Sequence, residues 1–399
     1  MVPGGKTYAT VRYLYEPLVS YSELVDGAEF DILEGGRVVG FGRVTRASRI
    51  CSMPLSALDL PSTDPTPIFE NFRGSYGTEL LVAAAAHMKV FEKLARGPMF
   101  HDDLRREIGL ASRPASVLFT ALRAMGLIVE AWGNLELSAL AKDHLVAGQP
   151  FDVSDYLGLA SQSSGVLEML ERLKTNKPAG AAAKEGTAFI FREGIDSAME
   201  QEASARRWTL SLAGRAKNVA PHLAAKLPLD GTKHLLDVGG GTGIYSIALL
   251  QRNPQLTATV LDGPEVLKVT AEMAAAYGVA ERLTCLAGDM FKDALPSCDA
   301  VLLSNVLHDW DVPQCRNLLR RCSAAIPSGG KLLIHDVFLA DTLDGPLPIA
   351  LYSAALFTLT EGRAYSAAEY RAWLTECGLT SAKVIPTLIH CGVLVGTKK

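Results

Sequence analysis

The stretch Leu235-Leu236-Asp237-Val238-Gly239-Gly240-Gly241-Thr242-Gly243 constrains the fold of this chain more than any other. An apolar strand reaches an acid and then turns through four glycines in five positions. Glycine has no Cβ, so such a loop can take positive φ and bring its backbone against a ligand. A dinucleotide fingerprint would place glycines at 239, 241 and 244, but 244 is Ile. The spacing here is Asp-x-Gly-x-Gly-x-Gly instead.

The segments that follow come in the order an open α/β sheet requires. Ala258-Thr259-Val260-Leu261-Asp262 reads as a second strand ending in an acid, 19 positions after Gly243. A carboxylate there can accept from both hydroxyls of a ribose. Ala287-Gly288-Asp289-Met290-Phe291 comes next, and then Asp299 to Trp310, a buried strand opening into a polar loop. Residues 228–399 alternate strand and helix, which implies right-handed crossovers and a parallel sheet. Near the end, Ala382 to Ile389 and Cys391 to Gly396 read as two strands joined by a short turn. Ligands of such sheets sit beyond the carboxyl ends of the strands, where all four stretches lie.

Together these stretches resemble the S-adenosylmethionine (SAM)-dependent small-molecule O-methyltransferases of the caffeate and acetylserotonin type, over about residues 67 to 399. The resemblance implies an α/β fold: a Rossmann-like methyltransferase sheet joined to an α-helical, winged-helix dimerisation domain. It implies SAM as cofactor, a small-molecule acceptor and a homodimer. Asp237, Gly239, Gly241 and Gly243 would cradle the amino-acid part of SAM and Asp262 its ribose. Asp289 and Met290 would meet adenine, with Ser304 close by. The His of the His308-Asp309-Trp310 motif would be the general base, and Asp336, closing the run Leu332 to Asp336, would orient it. Met199, Trp208, Asn305 and Phe357 would contact the acceptor, with Phe189 and Phe191 in the same helical roof. Asp311 followed by Val312-Pro313 already supplies a helix cap, so His308 is not needed as one.

Two positions depart from the resembled pattern. Relatives commonly carry a second carboxylate where this chain has Ala364, and whether Glu361 replaces it is open. Plant members carry a Lys where this chain has Ser304. Both departures bear on acceptor chemistry rather than on the cofactor. They leave room for an acidic phenol, for C-methylation, or for a SAM-binding relative that does not transfer methyl.

Five segments follow along the chain. Residues 1–53 form a β-rich appendage with a hairpin at Gly27 to Arg46 turning at Glu34-Gly35-Gly36. It faintly resembles the closing strands of the elongation factor Tu β-barrel domain and reads more simply as an appendage packing on its own or on a partner. Residues 54–67, with Pro54, Pro61, Pro65 and Pro67, form a linker. Residues 68–150 hold an Ala-rich helical run from Ile68 to Ala95, then helices over His101–Ile108 and Arg113–Met125 and a hairpin at Trp132-Gly133-Asn134. Residues 151–227 are a mostly helical roof, and residues 228–399 form the SAM domain.

A helix-helix-hairpin unit could instead read DNA, which gives a winged-helix regulator or partner-docking protein as the alternative of a different class. Against it, the recognition helix offers only Arg113 and Arg123, and Asp102, Asp103 and Glu107 offset the nearby arginines. A net charge of −4 and a pI near 6.1 give no general attraction to nucleic acid or anionic membrane. No run is apolar enough to span a membrane, and the start lacks the apolar core of a signal peptide, so a cytoplasmic enzyme is expected. The seven cysteines lack metal-ligand spacing and read as packing thiols, with Cys315 and Cys322 on one helix; no metal site is expected.

Overall fold

The computed structural model describes residues 29–34, 37–43, 54–177, 198–227 and 229–399. Strands β1 (Glu29–Glu34) and β2 (Arg37–Arg43) pair antiparallel with Glu34 opposite Arg37, which is the hairpin expected near Gly27 to Arg46. The rest of the expected appendage, and the roof residues Phe189 and Phe191, lie outside the described residues.

From Pro54 to Pro65 the chain has no helix or strand, yet it is seated on the sheet unit. Leu55 N–H donates to Ala276 O (3.0 Å), Ala57 N–H donates to Gln251 Oε1 (2.7 Å), and Gln251 Nε2 returns a bond to Leu55 O (2.8 Å).

The helical run expected over Ile68 to Ala95 is broken rather than continuous. Helices α1 (Thr66–Arg73) and α2 (Ser75–Val82) pass into a π-helical turn at Ala83–His87, and left-handed Lys89 (φ 54°) precedes α3 (Val90–Leu94). Next come β3 (Met99–Phe100), α4 (His101–Glu107), α5 (Ser112–Ala124), β4 (Ile128–Ala131) and β5 (Asn134–Leu137). The three strands form a small sheet in the order β3-β5-β4. Its hairpin turns through Trp132 and Gly133, both at positive φ (53° and 78°), the conformation that matches strand twist in a two-residue turn. Among the described residues, helices α6 (Ala139–His144), α7 (Ser154–Gly158), α8 (Ser164–Thr175) and the long α9 (Glu202–Lys226) lead to the large sheet.

The sheet unit alternates as expected: β6 (His234–Val238), α10 (Ile244–Arg252), β7 (Thr257–Asp262), α11 (Pro264–Ala276), β8 (Leu283–Ala287), β9 (Ala300–Ser304), α12 (Val312–Ala325) and β10 (Lys331–Leu339). It closes with α13 (Leu347–Leu359), β11 (Tyr365–Ser366), α14 (Ala367–Glu376), β12 (Leu379–Ser381), β13 (Ile385–Pro386) and β14 (Cys391–Lys398). The strand order is β12-β14-β10-β9-β6-β7-β8, with β6 to β10 parallel and β14 antiparallel to β10. The strand expected over Ala382 to Ile389 is not continuous. Pairing is kept at Leu379–Ser381 and Ile385–Pro386, and left-handed Ile389 and His390 (φ 52° and 60°) turn the chain into β14.

Two apolar cores flank the sheet. One packs α9, α10 and α11 against it, and the other packs α12 and α14, including fully buried Cys315 and Cys322. A third core fills the N-terminal unit. Helix α13 belongs to two of them: Ile349, Ala350 and Leu356 join the sheet core, while Ala354 and Phe357 join the N-terminal core. A helix apolar on all sides is buried on all sides, so α13 couples the two units. No helix among the described residues is long and apolar enough to cross a membrane.

Candidate active site

Strand β6 has β7 on one side and β9 on the other, so successive connections diverge at its carboxyl end and open a crevice there. The glycine loop fills the rim of that crevice. Gly239, Gly241 and Gly243 all take positive φ (67°, 57° and 70°). A Cβ on Gly240 would strike the Asp237 carboxylate and Val260, whereas one on Gly241 would project into open space. The loop is therefore tight underneath and bare on the side a ligand would approach.

Two carboxylates brace it. Asp262 accepts from Gly241 N–H at Oδ2 (2.9 Å) and from Gly263 N–H at Oδ1 (2.7 Å), and burial raises its pKa. Buried Asp237 accepts from Ser246 Oγ at Oδ2 (2.6 Å), while its Oδ1 is buried without a partner among the described residues. Burial pushes the Asp237 pKa up to about 7. Thr270 Oγ1 ties the loop from below by donating to Gly241 O (2.6 Å).

Asp289 and Met290 follow β8 on the same rim. Asp289 Oδ1 accepts from Phe291 N–H (2.8 Å) and its Oδ2 pairs with Lys292 (3.0 Å), so this acid also shapes its own turn. Burial opposes its ionisation, but those partners outweigh burial and hold its pKa below the usual carboxylate range. Met290 is half-buried against Phe291 and its neighbours.

Beyond β9 the backbone turns sharply at Asn305 (φ 56°), a conformation that Asn tolerates better than most residues. Asn305 Oδ1 accepts from Arg215 Nη1 (3.0 Å), and its N–H donates to His335 O (2.8 Å). Ser304 Oγ shares a hydrogen bond with His335 Nδ1 (2.8 Å) in the interior of the sheet end. Burial drives the His335 pKa down to about 3, which keeps that ring neutral.

The turn then delivers His308, only 3 % exposed. Its Nδ1 donates to Asp336 Oδ1 (2.5 Å) across the β9–β10 edge. Asp336 is fixed in turn by Val337 N–H at Oδ1 (2.8 Å) and Tyr370 OH at Oδ2 (3.1 Å). Asp309 places its carboxylate 3.6 Å from His308 Nε2. Burial disfavours the imidazolium, yet the two carboxylates outweigh it and raise the His308 pKa. The Asp309 carboxyl is itself pushed up to about 7 by burial. Asp311 caps α12 by accepting from Gln314 N–H (3.1 Å), as the sequence led one to expect, and His308 is left free of that task.

The segment that follows α13 holds this turn in place and is itself tied to the N-terminal unit. Glu361 N–H donates to Asp309 O (3.1 Å), while Arg113 Nη1 on α5 donates to Thr360 O (2.7 Å) and Gly362 O (3.0 Å). Ala364 is fully buried with its N–H on Ser353 Oγ (3.1 Å), so its position sits in packing. Arg123, the other cation of α5, pairs with Glu130 (2.9 Å). Both cations of the helix that would read DNA are thus engaged within the chain.

The remaining expected residues are less concentrated. Met199, in a short 3-10 turn at Ala198–Glu200, and Trp208, on α9, are half-buried. Phe357 is packed in the N-terminal core beneath Arg113, whose guanidinium lies 4.7 Å from its ring. The α13 residue that meets the base is instead Tyr352, edge-on to His308 at 5.7 Å between ring centres. Tyr352, Asp309, Tyr370, Arg73 and Arg215 were not singled out from sequence. Only Asp309 carried a signal, as part of the His308-Asp309-Trp310 motif; the others arrive from helices far away in the chain.

Among the described residues, no group of three or more His, Cys, Asp or Glu is placed to hold a metal ion. The bare face of Gly241 and the orphaned Asp237 Oδ1 fit a ligand carrying both hydrogen-bond donors and acceptors at the loop.

Comparison with known proteins agrees with this geometry. The O-methyltransferase domain family matches residues 191–380. The chain is 35 % identical to the 3-hydroxy-5-methyl-1-naphthoate 3-O-methyltransferase of Streptomyces sahachiroi, over 80 % of this chain and 91 % of that one. It is 29 % identical to the L-tyrosine C(3)-methyltransferase of Streptomyces lavendulae, over 79 % of this chain and 88 % of that one. A family 2 O-methyltransferase from Planctomyces limnophilus, solved with apigenin, superimposes with a TM-score of 0.79 and 46 % identity, over 87 % of this chain and 99 % of that one. The chain therefore belongs to the O-methyltransferase family and is a SAM-dependent methyltransferase.

Proposed function

We propose that the acceptor is an aromatic or polyketide-like hydroxyl compound and that His308 is the general base. The hydrogen bond from His308 Nδ1 to Asp336 carries this reading, because it fixes the tautomer in which Nε2 is the free acceptor. Asp262, Asp237 and the backbone of Gly239, Gly241 and Gly243 would hold SAM, with Asp289 and Met290 toward adenine and Ser304 acting through the sheet end. When bound, SAM supplies an electrophilic methyl group on a sulfonium. Nε2 takes the proton of the acceptor hydroxyl as the oxygen attacks. Asp336 and Asp309 then stabilise the imidazolium. Asn305, Met199 and Trp208 would bound the acceptor, with Tyr352 closer to the base than Phe357. Orientation supplies much of the acceleration in a direct transfer.

Substituting His308→Ala tests the assignment. It should leave S-adenosylhomocysteine (SAH) affinity in place and lower turnover by about 10²–10⁴-fold. Lost affinity would make the residue structural.

The similarity to a tyrosine C-methyltransferase supports a second reading, methylation at a ring carbon activated by the same base. Mass spectrometry of the methylated product separates the two. We further infer a homodimer built on a winged-helix unit at residues 68–150, in the cytoplasm. Exposed Ile68 and Phe72 of that unit, with Tyr156 and Leu159 just beyond it, support the dimer, since apolar side chains of this size gain by being covered.

A further inference from the structure

Arg73, the last residue of α1, is 7 % exposed and has no hydrogen bond or ion pair among the described residues. Its guanidinium carbon lies 3.8 Å over the ring centre of Tyr352, the residue that meets His308 edge-on. A second guanidinium, that of Arg215 on α9, lies 5.2 Å from the same ring. Arg215 donates to Asn305 Oδ1 and Cys391 Sγ, both uncharged acceptors, and its Nε is buried without a partner among the described residues.

Two cations therefore flank one aromatic ring beside the base, and neither is ion-paired among the described residues. The nearby carboxylates, Asp336 and Asp309, are committed to His308. A buried cation without an anion is costly, and stacking on a tyrosine ring offsets only part of that cost. Arginine is also the side chain whose planar fork pairs with a carboxylate through two parallel hydrogen bonds. No carboxylate of the described residues is within ion-pair distance of either guanidinium, which leaves both open to an anionic group of a ligand.

Resting on the reading of His308 as the base at the acceptor site, we propose that the acceptor is an anionic hydroxyarene. Its carboxylate pairs with Arg73, and Arg215 adds the second positive charge. The hydroxyl then faces His308 and the carboxylate faces Arg73, the two residues that meet Tyr352. The cofactor's own carboxylate is the other source of the same chemistry, and the two are separable by titration.

SAH-saturated enzyme is titrated calorimetrically with 3-hydroxy-1-naphthoic acid and with its carboxamide, alongside a matched hydroxybenzoic acid and amide. The acid of at least one pair should bind about 10- to 100-fold more tightly than its amide. Arg73→Met, which keeps an apolar stem on Tyr352, should abolish that preference, and Arg73→Lys should keep part of it. SAH affinity, measured without acceptor, should be the same in all three proteins. Equal binding of acid and amide in both pairs, or no binding of either acid, overturns the proposal. So does an acid preference that survives Arg73→Met, which would place the neutralising anion within the chain itself. Loss of SAH affinity in Arg73→Met would assign the arginine to the cofactor carboxylate and overturn the acceptor assignment. Should the Met variant not fold, the wild-type pairs and Arg73→Lys still decide. Failure of the wild-type enzyme to bind SAH would instead count against the SAM site.

Discussion

The carboxylate of Asp309 lies 3.6 Å from Nε2 of His308, its immediate chain neighbour, while Asp336 holds Nδ1 from 28 positions away. The imidazole is clamped between one acid supplied by its own turn and one supplied by the next strand. Together they raise its pKa above the ordinary 6.5 against the opposing effect of burial.

A base acts only when deprotonated, so kcat/KM should rise with pH through a value above 6.5. Asp336→Asn and Asp309→Asn each remove a charge that favours the imidazolium, and each should move that acid limb to lower pH. With Asp336 gone, burial should dominate. PH–rate profiles of the three proteins check this, and a limb unmoved by both substitutions would separate it from His308.

Asp262→Asn should weaken SAH binding. Both oxygens of Asp262 accept backbone N–H groups, and an amide would turn a donor against one of them. In wild type, SAH at hundredfold excess over its dissociation constant should stabilise the fold by about 2.7 kcal/mol. A thermal-shift titration should show that stabilisation reduced or lost in the variant.

Asp237 carries a testable pH dependence of stability. Its folded pKa of about 7 lies above the ordinary 3.8, so the folded chain keeps this proton where the unfolded chain releases it. The associated stability is full below about pH 4 and is lost as pH rises toward 7. Asp237→Asn stays neutral throughout. The ligand-free variant should gain on wild type across that window, by on the order of 2–4 kcal/mol at pH 8, while binding SAH less well. Denaturant melts at pH 4.5 and 8 measure the difference, and parallel losses in both proteins would contradict it.

Gln251 pins the Pro-rich segment through bonds to Leu55 O, Ala57 N–H and Tyr277 O. Gln251→Ala should cost roughly 1–3 kcal/mol. It should also speed proteolytic cleavage between residues 54 and 65, as read by limited digestion against the wild-type pattern. An unchanged digestion rate would mean that Ala57, buried in the sheet core, seats the segment without it.

Much of the sheet unit was legible because its signals are local. Apolar runs ending at Asp237 and Asp262, and glycines that must take positive φ, announce strand ends and a ligand loop without reference to the rest of the chain. The Ala-rich helix was misread as continuous because composition does not show where a π-helical turn and a left-handed Lys89 will interrupt it. The strand before the closing one was read as continuous over Ala382 to Ile389 because Pro386 and the left-handed pair Ile389 and His390 set its pairing, and β-branched patterning in the same stretch masks them.

By itself the sequence determined the parallel sheet, the glycine loop and the position of His308, since each depends on residues adjacent in the chain. Only the tertiary structure decided what surrounds that histidine. Asp336 reaches it because β9 and β10 pair in parallel, Tyr352 because α13 is shared by two cores, and Arg73 and Arg215 because α1 and α9 fold onto the same crevice. Burial then sets the chemistry of all of them: a charge's partner, and the cost of lacking one, depend on which segments exclude water around it, and no local pattern encodes that.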